Sequence, residues 1–214
     1  WVPTAVGTDA DATLVLNGDL IEGNHHKATQ AWPNTDDHIS AAIQTLQPVA
    51  GQCTRTLVVV GTEAHTRLAE HGIARAIGAA PYPDGRYAAD VLEVDADGVR
   101  MIWAHHCSTT SRAWLTSGEP GRLISNARLA AANAGHPIPQ FVGAAHRHRA
   151  DYWTDFGRQH CVIGPAWQTL TRYGYKVVTH ERPHVGGYVV TVDEGRISVQ
   201  MYRRDVPERK AVVL

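Results

Sequence analysis

Four apolar runs, each ending in residues able to bind a metal or a proton, constrain this chain more than any other feature. They are TLVLNGD (residues 13–19), RTLVVVGTEAH (55–65), GVRMIWAHH (98–106) and PQFVGAAHRH (139–148). Runs this apolar fit short strands that cross a core, so the chain leaves the interior four times at the same chemical kind of end. Strands covered on their faces belong to layered α/β folds in which helices shield the sheets. A site in such a fold lies where strand C-termini and their loops converge. Asp19, Glu63, His65, His105, His106, His146 and His148 are the residues placed to meet there.

The intervening segments suit helices. Residues 34–50 open on Asn34 or Thr35 as an N-cap, carry acidic residues in the first turn, and space Ile39, Ile43 and Leu46 along one apolar face. Residues 66–80 and 121–135 have a similar make-up and predict two more helices. Near the end, GGYVVTVDEGRISVQMYRRD alternates about Asp193, Glu194 and Gly195, the pattern of a β-hairpin with charged edges. Nothing marks a linker, and 214 residues suit a single domain, 1–214.

Composition narrows the function classes. Twenty Lys and Arg against twenty-one Asp and Glu leave a net charge of −1, so no broad field draws the chain onto nucleic acid or anionic lipid. No apolar run approaches the roughly 20 residues that span a bilayer. Cys53, Cys107 and Cys161 are widely spaced and form no CxxC, which favours a reducing, cytoplasmic setting and small buried thiols over disulfides or a thiolate zinc site. Histidine is the unusual component, with thirteen copies against two Met and two Phe. It is the side chain that most readily moves protons or binds metals near neutral pH.

Carboxylates and imidazoles without thiolates make a ligand set for hydrolytic Mn, Fe, Ni or Zn centres. One histidine at a strand end is ordinarily a hydrogen-bonded surface residue; four strand ends furnished alike ask for another account. His146 and His148 stand two apart in an extended stretch, which puts both rings on one side.

In this order, Gly18-Asp19, GTEAH (61–65), His105-His106 and GAAHRH (143–148) resemble the ordered motifs of the calcineurin-like metallophosphoesterase superfamily. GDLIEGNHH and GTEAH are most similar to its phage and prophage members, and VIGPAWQTL (162–170) is similar to the segment after the last motif. The resemblance implies a four-layer α/β/β/α sandwich, two mixed β-sheets flanked by helices. It further implies two divalent ions, Mn2+ first among candidates with Fe, Ni, Zn or Mg as others. Asp19 would bridge them, with His105, His146 and His148 as further ligands. At the third motif, where the family has Asn, the register points to Thr62, and Glu63 is the better ligand chemically; His65 is the implied catalytic histidine. Glu22, His25, His26, His106 and Arg147 would flank the site or touch substrate, with Asn24, Lys27, Arg112 and Arg149 nearby in the same role. Arginines in such places also serve as solvated charges.

The family's first motif, DxH, has no counterpart before Asp19. Asp36 and His38 have its letters but fall at a helix start, where they read as first-turn charge and cap. Either a strand carrying DxH precedes Trp1, or one metal is held firmly and the other weakly or not at all; the expectation here is the former. The function implied is metal-dependent hydrolysis of a phosphomonoester, phosphodiester, nucleotide or nucleic-acid end, with no membrane partner. The competing readings are a catalytically degenerate binding module on the same fold and a non-catalytic metal-binding protein.

Overall fold

The structure is a computed structural model that describes residues 11–23, 32–66, 69–107, 118–156, 158–169 and 183–204. In chain order the described elements are β1 (Thr13–Asn17), α1 (Thr35–Ala50), β2 (Arg55–Val59), α2 (Glu63–Thr66), α3 (Ala69–Ala76), β3 (Val91–Ala96), β4 (Val99–Ala104), α4 (Glu119–Asn133), β5 (Phe141–Ala144), β6 (Asp151–Asp155), β7 (Gln159–Ile163), β8 (Val185–Asp193) and β9 (Arg196–Arg204). The four apolar runs become β1, β2, β4 and β5, and the hairpin turns at Glu194-Gly195, both at positive φ.

The central sheet runs β3-β4-β5-β7-β6 and is mixed, with β4, β5 and β7 parallel and β3 and β6 antiparallel at its edges. β1 and β2 form a parallel pair, and β8 and β9 an antiparallel one. Side-chain alternation shows how these pieces stack. Val99, Met101, Trp103, Phe141 and Val162 on one face of the central sheet meet Val15, Leu57 and Val59 of the β1-β2 pair and Tyr188, Val190 and Val199 of the hairpin. The opposite face sends Val142 and Cys161 against Ile124 and Ala127 of α4. On the far side of β1-β2, Leu14, Leu16 and Val58 pack on Ile39 and Ile43 of α1 and Ile73 of α3. The order is therefore helix, sheet, sheet, helix, the four-layer α/β/β/α architecture that the resemblance implied.

This stacking explains why β1, β2 and β5 read as continuous apolar runs: each contributes residues to two cores at once, one on either face. It also sets the parallel strand tips at one edge, where β1, β2, β4 and β5 all end. No described helix is long and apolar enough to cross a membrane. The three cysteines are free, with Cys107 and Cys161 buried; burial pushes the Cys107 thiol up to about 11 and that of Cys161 up to about 12, which makes both inert.

Candidate metal centre

β1 ends on Asn17, and the chain then takes two consecutive left-handed residues, Gly18 at φ 76° and Asp19 at φ 51°. The turn aims the Asp19 carboxylate back over the strand tips. Close approach of the two loops depends on glycine at two places. A Cβ on Gly18 would lie 2.5 Å from His105 Nδ1 and 2.7 Å from the Gly61 backbone, and one on Gly61 would lie 2.1 Å from the Asp19 nitrogen. That close packing is the physical content of the GD and GTE pairs.

Asp19 is clamped by the β2 loop. The Thr62 amide donates to Asp19 Oδ1 at 2.6 Å, and the Thr62 hydroxyl donates to Oδ2 at 3.2 Å. Oδ2 also faces His105 Nε2 at 2.9 Å and His146 Nδ1 at 3.9 Å. Burial opposes ionisation of this carboxyl, yet the bonds from His105 and His146, the charge of His105 and the Thr62 amide together hold it well below the usual carboxylate range. For the buried His105 ring, burial works against the charged form, but the Asp19 carboxylate outweighs it and raises its pKa.

His105 arrives from β4 and His146 from the loop after β5. His105 Nδ1 sits 2.7 Å from the Asn17 carbonyl, which can only accept, so that nitrogen carries the proton. In the neutral ring Nε2 then presents a lone pair to a carboxylate oxygen 2.9 Å away and to His146 Nδ1 3.3 Å away. Lone pairs do not face lone pairs at these distances without a cation between them. His146 Nδ1 is also 3.2 Å from the Thr62 hydroxyl. His105, His106 and His146 each bring one ring nitrogen within 4.8 Å of the others, near the spread of opposite ligands on an ion with bonds of about 2.1 Å. The donor set fits a divalent metal ion.

His146 stands at the centre of a three-residue turn closed by Arg147 N–H to the Ala145 carbonyl at 2.8 Å, with φ 70°, the strained form of the γ-turn. His148 is also left-handed, at φ 54°. His184 secures that loop from outside: its amide donates to the His148 carbonyl at 2.9 Å, and its Nδ1 accepts from the Ala150 amide at 3.0 Å. Burial pushes the His148 pKa down against the pull of Asp19 and Glu22, and burial with the charges of His105 and His146 does the same to His106.

The remaining sequence expectations divide. Asp19, His105, His106 and His146 come together, with His148 in their electrostatic neighbourhood. His65 Nδ1 bonds the Glu22 carbonyl at 3.0 Å, and Glu22 Oε2 accepts from the Gln168 amide at 2.7 Å. Glu63 stands elsewhere: it opens α2 and is exposed, and it is Thr62 that meets Asp19 and His146. Arg147 turns from the histidines to the buried Glu119, 3.1 Å away. His38 is buried with Nε2 2.7 Å from the Trp32 carbonyl, a helix-start contact as the sequence suggested. His25, His26, Asn24, Lys27 and Arg112 lie outside the described residues. The register of the third motif points to Thr62, set behind Glu63 as the poorer ligand, while nothing in the sequence points to Glu70 or His184.

No family model matches the chain, and no curated protein matches it, so the expected closeness to phage members gains no support. Among solved structures, the chain is similar to Vps29 of Chaetomium thermophilum, with 12% identity, a TM-score of 0.44, and coverage of 96% of this chain and 85% of that one. It is similar to a novel archaeal phosphodiesterase at 8% identity and a TM-score of 0.41, over 89% of this chain and 99% of that one. A hypothetical protein from Thermus thermophilus gives 11% identity and a TM-score of 0.41, over 91% of this chain and 99% of that one. Scores of this size do not establish common descent, and the layers and the histidine cluster that could hold a metal rest on this chain's own geometry.

Proposed function

We propose that the chain is a metal-dependent hydrolase of phosphate esters, acting on a phosphomonoester, a phosphodiester, a nucleotide or a nucleic-acid end. One observation carries this reading: the His105 ring, its Nδ1 fixed by a carbonyl, turns Nε2 on the Asp19 carboxylate in a setting that a proton or a divalent ion completes. Asp19, His105, His146 and His148 would hold the metal, with Thr62 in the place expected of Glu63. The order of the motifs resembles the metallophosphoesterase superfamily, which suggests two divalent ions with Mn2+ as the first to try.

When bound, a divalent ion would supply an activated water and positive charge for phosphoryl oxygens. The chain's own groups supply the rest. Asn17 fixes the tautomer of His105, as outer carbonyls do for metal-binding imidazoles. Thr62 fixes the rotation of Asp19. His65, its Nδ1 held by the Glu22 carbonyl, is the histidine assigned to proton transfer at a leaving oxygen. A chain of net charge −1 can do this because the positive field is local to the metal.

The second reading is a binding module on the same layers that has lost catalysis. Thr62 favours it, since a hydroxyl that donates to Asp19 is a weaker ligand than the family's Asn. Elemental analysis together with hydrolysis of bis(p-nitrophenyl) phosphate under added Mn2+ separates the two. Bound metal and turnover that vanishes in Asp19→Asn support the hydrolase; metal without turnover supports the module; neither metal nor turnover removes both the metal centre and the activity.

A further inference from the structure

Glu70 has no part in the chemistry above, yet it is fully buried. It lies on the core face of α3, one turn before Ile73 and Ala74, where helical spacing calls for an apolar side chain. Its two oxygens accept the Gly61 amide at 3.0 and 3.1 Å. Burial raises its pKa, and the Gly61 amide, the Thr66 side chain and the Leu20 amide favour its charged form against that. A buried carboxylate is costly unless such donors surround it. The identity of the donors matters more than their number. Gly61 precedes Thr62 and packs against Asp19, so one carboxylate grips the root of the loop that clamps the site. Gly61 stands between the two acids: a Cβ there would lie 2.4 Å from Asp19 Oδ1 and 2.7 Å from Glu70 Oε1.

We propose that Glu70 is a positioning residue of the metal centre, fixing the Gly61 amide so that Thr62 holds Asp19 with one oxygen turned toward His105 and His146. This role rests on the reading that those residues bind a divalent ion. The chemistry distinguishes a carboxylate from its isostere. Glutamine fills the same volume but offers one acceptor oxygen and an NH2 group, so one of the two contacts with the Gly61 amide would set donor against donor. The loops would part slightly and the Asp19 clamp would loosen, while the core stays filled.

The test titrates the metal-free chain with Co2+, reading affinity by calorimetry and ligand geometry by visible absorption, beside thermal melts of the same samples. Wild type, Glu70→Gln and Glu70→Leu are compared; leucine suits the apolar surroundings and guards against a glutamine variant that fails to fold. Both variants are expected to melt as folded proteins, to bind Co2+ about 10- to 100-fold more weakly, as loss of an outer support does elsewhere, and to show an altered visible band. Unchanged affinity and an unchanged band in either folded variant would overturn this role while leaving the hydrolase reading intact. Wild-type protein that binds no Co2+ would overturn the metal reading and this role with it.

Discussion

His146 and Arg147 are neighbours in sequence and have opposite fates. Arg147 turns to Glu119, whose side chain is 3% exposed, and the two charges cancel in a closed pair 3.1 Å apart, with Arg122 at 3.9 Å beyond. His146 turns to Asp19 and His105, where a carboxylate and imidazole nitrogens crowd together with no lysine or arginine among their partners in the described residues. Both clusters are largely removed from water. One is complete as it stands, and the other is complete only with a proton or a metal ion. The contrast shows what separates a buried ion pair from a metal centre: the chemistry that remains unmet after the protein's own groups have been matched.

The sharpest break of that contrast is Asp19→Asn. Removing the charge that the histidines share should abolish metal retention and lower turnover of bis(p-nitrophenyl) phosphate on the order of 10^3-fold, about 4 kcal/mol of transition-state charge stabilisation; elemental analysis and initial rates check it. Glu119→Ala should do the reverse. It strands a largely buried arginine and should cost about 3 kcal/mol of folding stability in denaturant unfolding, with metal content unchanged.

A pH series sharpens the comparison further. His105 has a raised folded pKa, so its contribution is complete below the unfolded histidine value of about 6.5 and is lost as pH rises toward the folded value. His106 and His148 have lowered values and act oppositely, costing stability as pH falls below about 6.5. Asp19, with a lowered value, contributes fully above about 4 and loses its contribution under strong acid. The metal-free protein should therefore be most stable near pH 6.5 and weaken above it. Added Mn2+ or Zn2+ should remove the alkaline decline, because the ion takes the place of the proton; Asp19→Asn should remove it as well. The smallest effect belongs to Gln168→Ala, which removes one hydrogen bond to Glu22 and should cost about 1 kcal/mol with little change in metal affinity.

The strand ends were legible because burial on two faces leaves an unmistakable apolar run, and whatever follows it must stand at the mouth of the sheets. β3, β6 and β7 were harder: VLEVDA and DYWTD alternate polar and apolar residues at sheet edges, and QHCVI follows too closely on β6 to stand out. Thr62 and Glu63 differ by one position across a strand-to-helix turn, and only the start of α2 decides which of them faces Asp19. Glu70 reads in sequence as an ordinary helix-surface acid in TRLAEHG, because nothing local shows that its carboxylate turns to the Gly61 amide in the loop after β2.

The backbone at the metal centre carries a lesson for anyone who would engineer this chain. Asp19, His146 and His148 all occupy left-handed conformations that cost an L-residue about 1 kcal/mol each. Glycine at position 146 or 148 would relieve that strain, so a screen for thermal tolerance alone would reward the very substitutions that dismantle the centre. A hardened descendant of this protein would be a well-folded shell, and durability and chemistry would have to be selected together.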